Sequence, residues 1–536
     1  MTTHGSITRL VALGTACAAG LGLGACEYLL TESPPHILVA DNLYADLAGF
    51  EAGLAGLYAQ VREERNSMRN NTNDIMNMGM TIGVDNAFGN LESAAIRIYN
   101  EFRQYNSPSE NAFLVMWTWL YRTINAANTI IGRAENPDVR WTEADKHRVV
   151  AEARLVRAWA YRHLTYLWGD VPLNLTESSG ESVRTDWERT PKPEVWQQME
   201  QDLLFAEQHL PETLSDPGKV VKAVAQHYLA ELYLVMDQPA KAEEKAAAVI
   251  NSGLYRLITE RYGVRRNEPG VPFMDQFHDG NVNRDQGNTE VLWALQNQLD
   301  TPGGGRSTMR RYWVNRYYML PGVTISVENG GRGIGRMSPT RWALALYEPQ
   351  DHRGSYHAIR WFYLYNYAPT LPDGAVLGDT LWLTWMAEKK SDPWWPSVRK
   401  WDWADPQNPE SPLTFGDQPY LRLAETCLLL AEARFKQGKL AEAAEAVNMV
   451  RRRSNASEIT AAQVTLDFIL DERSRELLSE EHRRYTLLRT GTWLERTRLY
   501  NPIAGPKVTP RDTVLPIPQA VLDANSGANM QQNPGY

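Results

Sequence analysis

Apolar residues recur every three or four positions along several long stretches of the chain, and each such stretch predicts a helix. The strongest is Ala151–Leu173, where Val149, Ala153, Val156, Ala160, Leu164 and Leu167 share one stripe and Arg154, Arg157 and Arg162 lie off it. Gly169 suits the end of that helix and Pro172 forbids its continuation, so the chain turns out through Asp170-Val171. The same spacing through Leu43, Leu47, Phe50, Leu54, Leu57 and Val61 predicts a helix capped by Asp41 or Asn42. Further helices are expected over Asn111–Arg133, with Trp117, Trp119 and Tyr121 packing, and over Glu194–His209, Thr340–Tyr347 and Leu466–Ser479. Strands are few. Alternation in Trp361–Tyr367 predicts one that sets Tyr363, Tyr365 and Tyr367 on one face, and Val291–Gln296 reads as another.

The segment Ala225–Val249 recurs later at a constant offset. Leu229-Ala230-Glu231 matches Leu430-Ala431-Glu432, Ala240 and Ala242 match Ala441 and Ala443, and Val249 matches Val450. Each copy is a helix, a short turn (Asp237-Gln238-Pro239, Gln437-Gly438-Lys439) and a small-residue helix, the layout of a tetratricopeptide-type hairpin. Such units stack into a scaffold and carry no chemistry of their own.

Between the copies, from Leu254 to Tyr420, the helical period disappears. Gly and Pro accumulate, and ten of the eighteen tryptophans fall between Trp293 and Trp403. Aromatic packing would hold irregular structure together; a stacking surface for pyranose rings would use the same residues. Trp313, Tyr317, Trp361, Tyr363, Tyr365, Trp382 and Trp385 are therefore candidate ligand contacts. A second aperiodic stretch, Asn66–Asn90, reads as a long loop. Its Asn70, Asn73, Asp74, Asp85 and Asn86 are either turn residues or partners for sugar hydroxyls or a peptide backbone.

Composition narrows the function. A net charge of -9 and the lack of a long basic run argue against nucleic acid, and the Arg451-Arg452-Arg453 cluster reads as a complement to a helix dipole. Arg9, the apolar run Leu10–Leu23 and Leu23-Gly24-Ala25-Cys26 read as an export signal ending in a lipobox, with acylated Cys26 as membrane anchor. If the leader is removed, Cys26 and Cys427 are the cysteines left, which implies no disulfide framework. The expected organisation is a signal peptide (1–25), a lipidated tether (26–40), a helical scaffold (41–253) bearing the loop 66–90, an irregular aromatic-rich region (254–415) and a closing helical repeat (416–536).

These residues together resemble the SusD/RagB family of outer-membrane nutrient-binding lipoproteins. The resemblance rests on the lipobox, Gly169-Asp170-Val171-Pro172-Leu173, the repeat hairpin, Asp351 and Arg353, Arg422, Glu472-Arg473 with Glu476, and the terminal Gln532-Asn533-Pro534-Gly535-Tyr536. It implies a mostly α-helical, tetratricopeptide-like fold at the cell surface. It also implies binding of a nutrient oligomer, most often a glycan, and delivery to a TonB-dependent transporter of the SusC type, over which the protein acts as a lid. Its motifs mark the scaffold, so no binding residue is carried over. Thr486 stands where many members have an aspartate, which puts one local ion pair in doubt.

Alternatives are a peptide-binding member, a helical interaction scaffold and a glycoside hydrolase. No metalloprotease, nucleophile-elbow or Walker motif is present, so no enzyme and no cofactor are expected. Asp279, Asn281, Asn283, Asp285 and Glu290 fall at the spacing of a calcium loop, which supports calcium only weakly, because Arg284 stands where glycine is needed and a polar turn before the Val291 strand is the plainer reading.

Overall fold

A computed structural model describes residues 43–536 apart from 69, 70, 302, 387 and 412; for 67, 68, 71–75, 104 and 181 the backbone alone is described. The signal, the tether and Cys26 lie outside the described residues. The fold is mostly α-helical, and among the described residues the following helices build its scaffold. They are α1 (Leu47–Arg62), α2 (Asn111–Arg133), α3 (Glu143–Trp168), α4 (Lys192–His209), α5 (Lys222–Val235) and α6 (Pro239–Ile250), then α7 (Leu423–Lys436), α8 (Leu440–Arg453), α9 (Leu466–Leu477), α10 (Arg483–Arg489) and α11 (Trp493–Tyr500). Helices α2 to α8 pack each on the next, so one layer runs through both repeats although the whole insertion separates α6 from α7. Helix α1 starts later than the sequence predicts. Its cap is Asp46, whose carboxylate accepts the Gly49 N–H at 2.9 Å, because only from there does an acidic side chain reach the third helical amide.

Helix α3 is covered on both sides, by α2 and α4, which changes the role of its arginines. Arg157 and Arg162 are buried, not solvated. Arg157 donates to both oxygens of Asp202 on α4 at 2.7–2.8 Å, and Arg162 to both of Glu231 on α5 at 2.8–2.9 Å. A helix buried all round must satisfy every polar side chain internally.

The two repeat hairpins share their turn geometry. Asp237 (φ 54°) and Gly438 (φ 75°) occupy the same place in the two copies, and both are left-handed, as an abrupt reversal between antiparallel helices requires. The copies are tied across the turn by Glu243, which accepts from Arg434 (3.0 Å), Gln437 (2.8 Å) and Lys439 (2.6 Å).

The charges of the closing segment are buried ion pairs. Arg451 and Arg453 point inward and pair with Glu472 and Glu476, while Arg452 alone of that cluster is solvent-exposed, on Glu445 and Glu458. The dipole reading of the cluster therefore gives way to ion pairing, because two of its three arginines face the core. Thr486 replaces the expected ion pair with a hydroxyl donating to Glu481 at 3.1 Å.

Buried carboxylates set the acid limit of the fold. Burial raises the carboxyls of Glu64 and Glu231, but His482, His163 and Arg65 outweigh it at Glu64, and Arg162, Arg489 and His227 outweigh it at Glu231. Both are held down to about 2 against an ordinary 4.5. A depressed folded pKa contributes stability that is complete above the unfolded value and is lost as pH falls through the folded one. Urea midpoints should therefore hold down to about pH 5 and fall steadily between about pH 4.5 and 2. A flat profile across that window would contradict the pairing.

Candidate ligand-binding face

The insertion between the repeats is closed at its base by a two-stranded antiparallel sheet of β2 (Val291–Leu295) and β8 (Gln418–Arg422), with Arg422 opposite Val291 and Gln418 opposite Leu295. Within the insertion, β3 (Met337–Pro339) pairs with β1 (Ala87–Gly89), which comes from the N-terminal part of the chain, and β4 (Ile359–Arg360) pairs with β7 (Ser397–Val398). A hairpin of β5 (Phe362–Leu364) and β6 (Thr380–Trp382) stands out from this base, with Phe362 opposite Trp382, Tyr363 opposite Leu381 and Leu364 opposite Thr380.

Strand alternation splits the hairpin into an inner and an outer face. Inward, Tyr363 and Leu381 join Val314, Tyr317, Leu320, Val323 and Leu383 in a small core of their own. Tyr317 and Tyr363 stack with centroids 4.7 Å apart, and the Tyr317 hydroxyl donates to the Gly331 carbonyl at 2.7 Å. Outward, Trp382 is 62% exposed and Leu364 45%. Phe362 lies between Trp382 (4.9 Å) and Tyr356, on which it stacks at 4.0 Å and 8°. Tyr356 is fixed in turn by Arg360, which donates to its hydroxyl at 3.0 Å, and by the Arg399 guanidinium 4.9 Å from its ring. Both arginines bond Asp402, whose carboxyl burial would raise but Arg399 and Arg360 hold low. The outer face is thus a graded stack of rings on an ionic base, ending in an indole open to water. Rigid rings of this kind can receive the apolar face of a sugar at little entropic loss.

The structure divides the sequence candidates. Trp382 is on the outer face. Trp361 and Trp385 are half-buried, 5.5 Å apart, and run inward to Trp395, with the Trp361 indole N–H donating to the Gly354 carbonyl at 2.7 Å. Tyr365 is half-buried beyond the strand, so the three tyrosines do not form one exposed row: Tyr363 is buried and Tyr367 is 40% exposed. Trp313 and Tyr317 are corrected to core residues, as neither offers surface.

The stretch 76–90 is also not an exposed loop; all of its residues are buried. Asp85 accepts from Arg483 (2.9 and 2.7 Å) and Arg496 (2.9 Å), and Asn86 donates to Ser474 at 3.2 Å, so both belong to the core and neither faces a ligand. Asn70 lies outside the described residues, and the side chains of Asn73 and Asp74 are not described.

The calcium-loop residues do not converge. Asn281 accepts the Val264 N–H, Asn283 accepts from Gln296, and Glu290 pairs with Arg422 and Arg453, whereas Asp285 points to solvent from a single 3-10 turn. Burial raises the Asp279 carboxyl, against the opposing effect of the backbone at Asp417 and Gly280. Donors already spent on protein partners do not fit a hard cation, and among the described residues no group of three or more His, Cys, Asp or Glu is placed to hold one. Sequence reasoning passed over Tyr356 and Phe362 as a stacked pair. Alternation within the strand separates Phe362 from Tyr363, but its pairing with Trp382 is a long-range fact, and Tyr356, outside any strand, carried no such signal.

A helical-repeat scaffold that carries an exposed aromatic face on an insertion defines the class. The SusD family model matches residues 273–536, and one described as "Starch-binding associating with outer membrane" matches residues 33–234. A SusD-like protein of Formosa agariphila is 26% identical over 95% of this chain and 96% of its own. The starch-binding protein SusD of Bacteroides thetaiotaomicron is 27% identical over 80% of each chain. The surface glycan-binding protein A of the same bacterium, solved with laminarihexaose, superposes with a TM-score of 0.70 at 18% identity, over 91% of this chain and 99% of its own. The chain belongs to the SusD/RagB family.

Proposed function

We propose that this protein captures a glycan at the cell surface, seats it on the ring stack ending at Trp382, and passes it to a TonB-dependent transporter of the SusC type. The observation that carries the reading is the exposed Trp382 indole, backed by Phe362 and Tyr356 in a rigid frame. It is supported by the names of two relatives, one a starch-binding protein and one solved with laminarihexaose. Binding without hydrolysis is part of this reading, supported by the relatives' being described as binding proteins. Acylated Cys26 holds the protein to the outer membrane, for which the matched family description gives support.

Calorimetric titration of the protein with starch, laminarin and other oligosaccharides, beside peptide mixtures, tests this. A saturable saccharide signal with the sugar recovered intact is the expected result; a signal from peptides alone would replace it. A peptide-binding reading is favoured by one feature, the exposed aliphatic surface of Leu364, Val376 and Leu377 around the hairpin, which apolar side chains match better than sugars do. Cys26→Ser should move the protein from the membrane fraction to the soluble fraction. Retention in cells that lack the transporter would exclude lipid anchoring.

A further inference from the structure

A second concavity lies away from the hairpin, between α2, the segment that follows Gly169, and the C-terminal stretch around Val521. It encloses about 360 Å³, within the size range of small-ligand sites. Trp117, Tyr121, Trp187 and Val521 supply apolar walls, and Ser178 and Arg184 stand among them.

Two features separate it from an ordinary surface crease. Its walls are held from behind. Asn525 accepts the Trp187 N–H and donates to the Trp187 carbonyl at 2.8 and 2.9 Å, while Asn125 does the same for Ser178 at 2.7 and 3.2 Å. Both Trp187 and Ser178 are therefore fixed through backbone groups, which pre-orients their side chains at the cleft. The second feature is the polar inventory. Among the described residues the Trp187 indole N–H and the Ser178 hydroxyl proton donate to no protein group; Ser178 Oγ only accepts, from Asn174 at 3.1 Å. The charges around the cleft are already met, Arg184 by Asp186 at 2.8 Å and Glu177 by Arg133 at 3.0 Å. Arg184 lies over the Trp187 ring at 4.3 Å and forms the outer rim, its side chain 53% exposed.

Aromatic walls, unspent donors and no uncompensated charge match a ligand with apolar faces and many hydroxyl acceptors. We propose that this cleft is a second saccharide site, which takes one uncharged pyranose unit. The ligand class rests on the glycan reading above; the site rests on the cleft alone. Two sites on one chain would let a long polysaccharide engage twice, so that the second contact forms at a high effective concentration.

The test uses the whole chain carrying Trp382→Ala, which removes the hairpin indole, and saturation-transfer NMR with the methyl glycosides of glucose (both anomers), mannose and galactose. At least one glycoside should still bind. Trp187→Ala, and independently Ala524→Trp, which fills the cleft from an exposed lining position, should each weaken that binding by about tenfold or more. The second variant guards against a folding defect in the first. Binding that vanishes with Trp382→Ala would overturn the cleft site and leave the hairpin as the one site. Binding that survives Ala524→Trp, or an absence of binding by all four glycosides, would overturn the cleft site too. The oligosaccharide titration judges the hairpin separately.

Discussion

Trp382→Ala is expected to weaken glycan binding by about tenfold, some 1–2 kcal/mol, while the melting temperature stays within about a degree or two of the unmodified protein. The two halves of that expectation come from one fact. At 62% exposure the indole contributes little to the folded state, and its contact with Phe362 at 4.9 Å is a tilted one at the end of the stack. Everything it can gain, it gains from a ligand. Tyr363, the residue after Phe362, which is the strand partner of Trp382, gives the contrast: it is buried, so Tyr363→Ala should lower stability first and affinity only through the loosened hairpin. Trp361 and Trp385 fall between, because each is half-buried and leans on the core. Calorimetry and thermal unfolding on the same Trp382→Ala sample decide the matter. Unchanged affinity would remove the hairpin face from the binding site, and a large fall in melting temperature would mean that the ring packs in solution.

The scaffold was legible because local rules governed it. The period of 3.6 placed α2 at Asn111–Arg133, the bounds found, and the offset between the repeats identified two hairpins that stack although a long insertion divides them. The site was less legible because exposure is a tertiary property. Tyr363 and Trp382 belong to the same residue class in the same Trp-rich region, yet one is core and the other surface. What separates them is the side of a strand, which composition does not carry. The stretch 76–90 shows the same limit from the other direction. Its Asn, Gly and Met content suggests a loop, but Met76, Met78, Met80, Ile82 and Val84 recur every second residue, and all are buried. The intervening polar residues are buried as well and find partners far along the chain, as Asp85 does on Arg483 and Arg496. A pattern of polar residues paired at long range resembles solvent-facing polarity until the partners are in view.

Glu476→Ala should be the most damaging single substitution in the chain, with an expected loss of about 3–5 kcal/mol. The carboxylate is fully buried and accepts from Arg422 at 3.0 Å, from Arg353 at 3.2 Å and from Arg453. Burial would raise its pKa, but Arg453, Arg422, Arg353 and Lys400 together hold it far below the carboxylate range. Its removal leaves three guanidinium groups in the core, with Asp351, Glu290, Glu472 and Glu480 as their remaining counter-charges. A loss of that size is a large share of the about 5–15 kcal/mol that holds a folded protein together, so the variant should accumulate poorly and unfold at much lower urea. Glu476→Gln keeps the volume and one acceptor oxygen and should fall between the two. The position of the network extends its effect beyond stability. Arg353 and Asp351 precede the hairpin, Glu290 precedes β2, Arg422 ends β8, and Arg453 ends α8, so one carboxylate joins the insertion to the second repeat. Weakening it should therefore lower ligand affinity together with stability, whereas Trp382→Ala lowers affinity alone. A Glu476→Ala protein that melts within a few degrees of the unmodified chain would show that these arginines find compensation elsewhere, and the network would lose its place as the joint between scaffold and binding face.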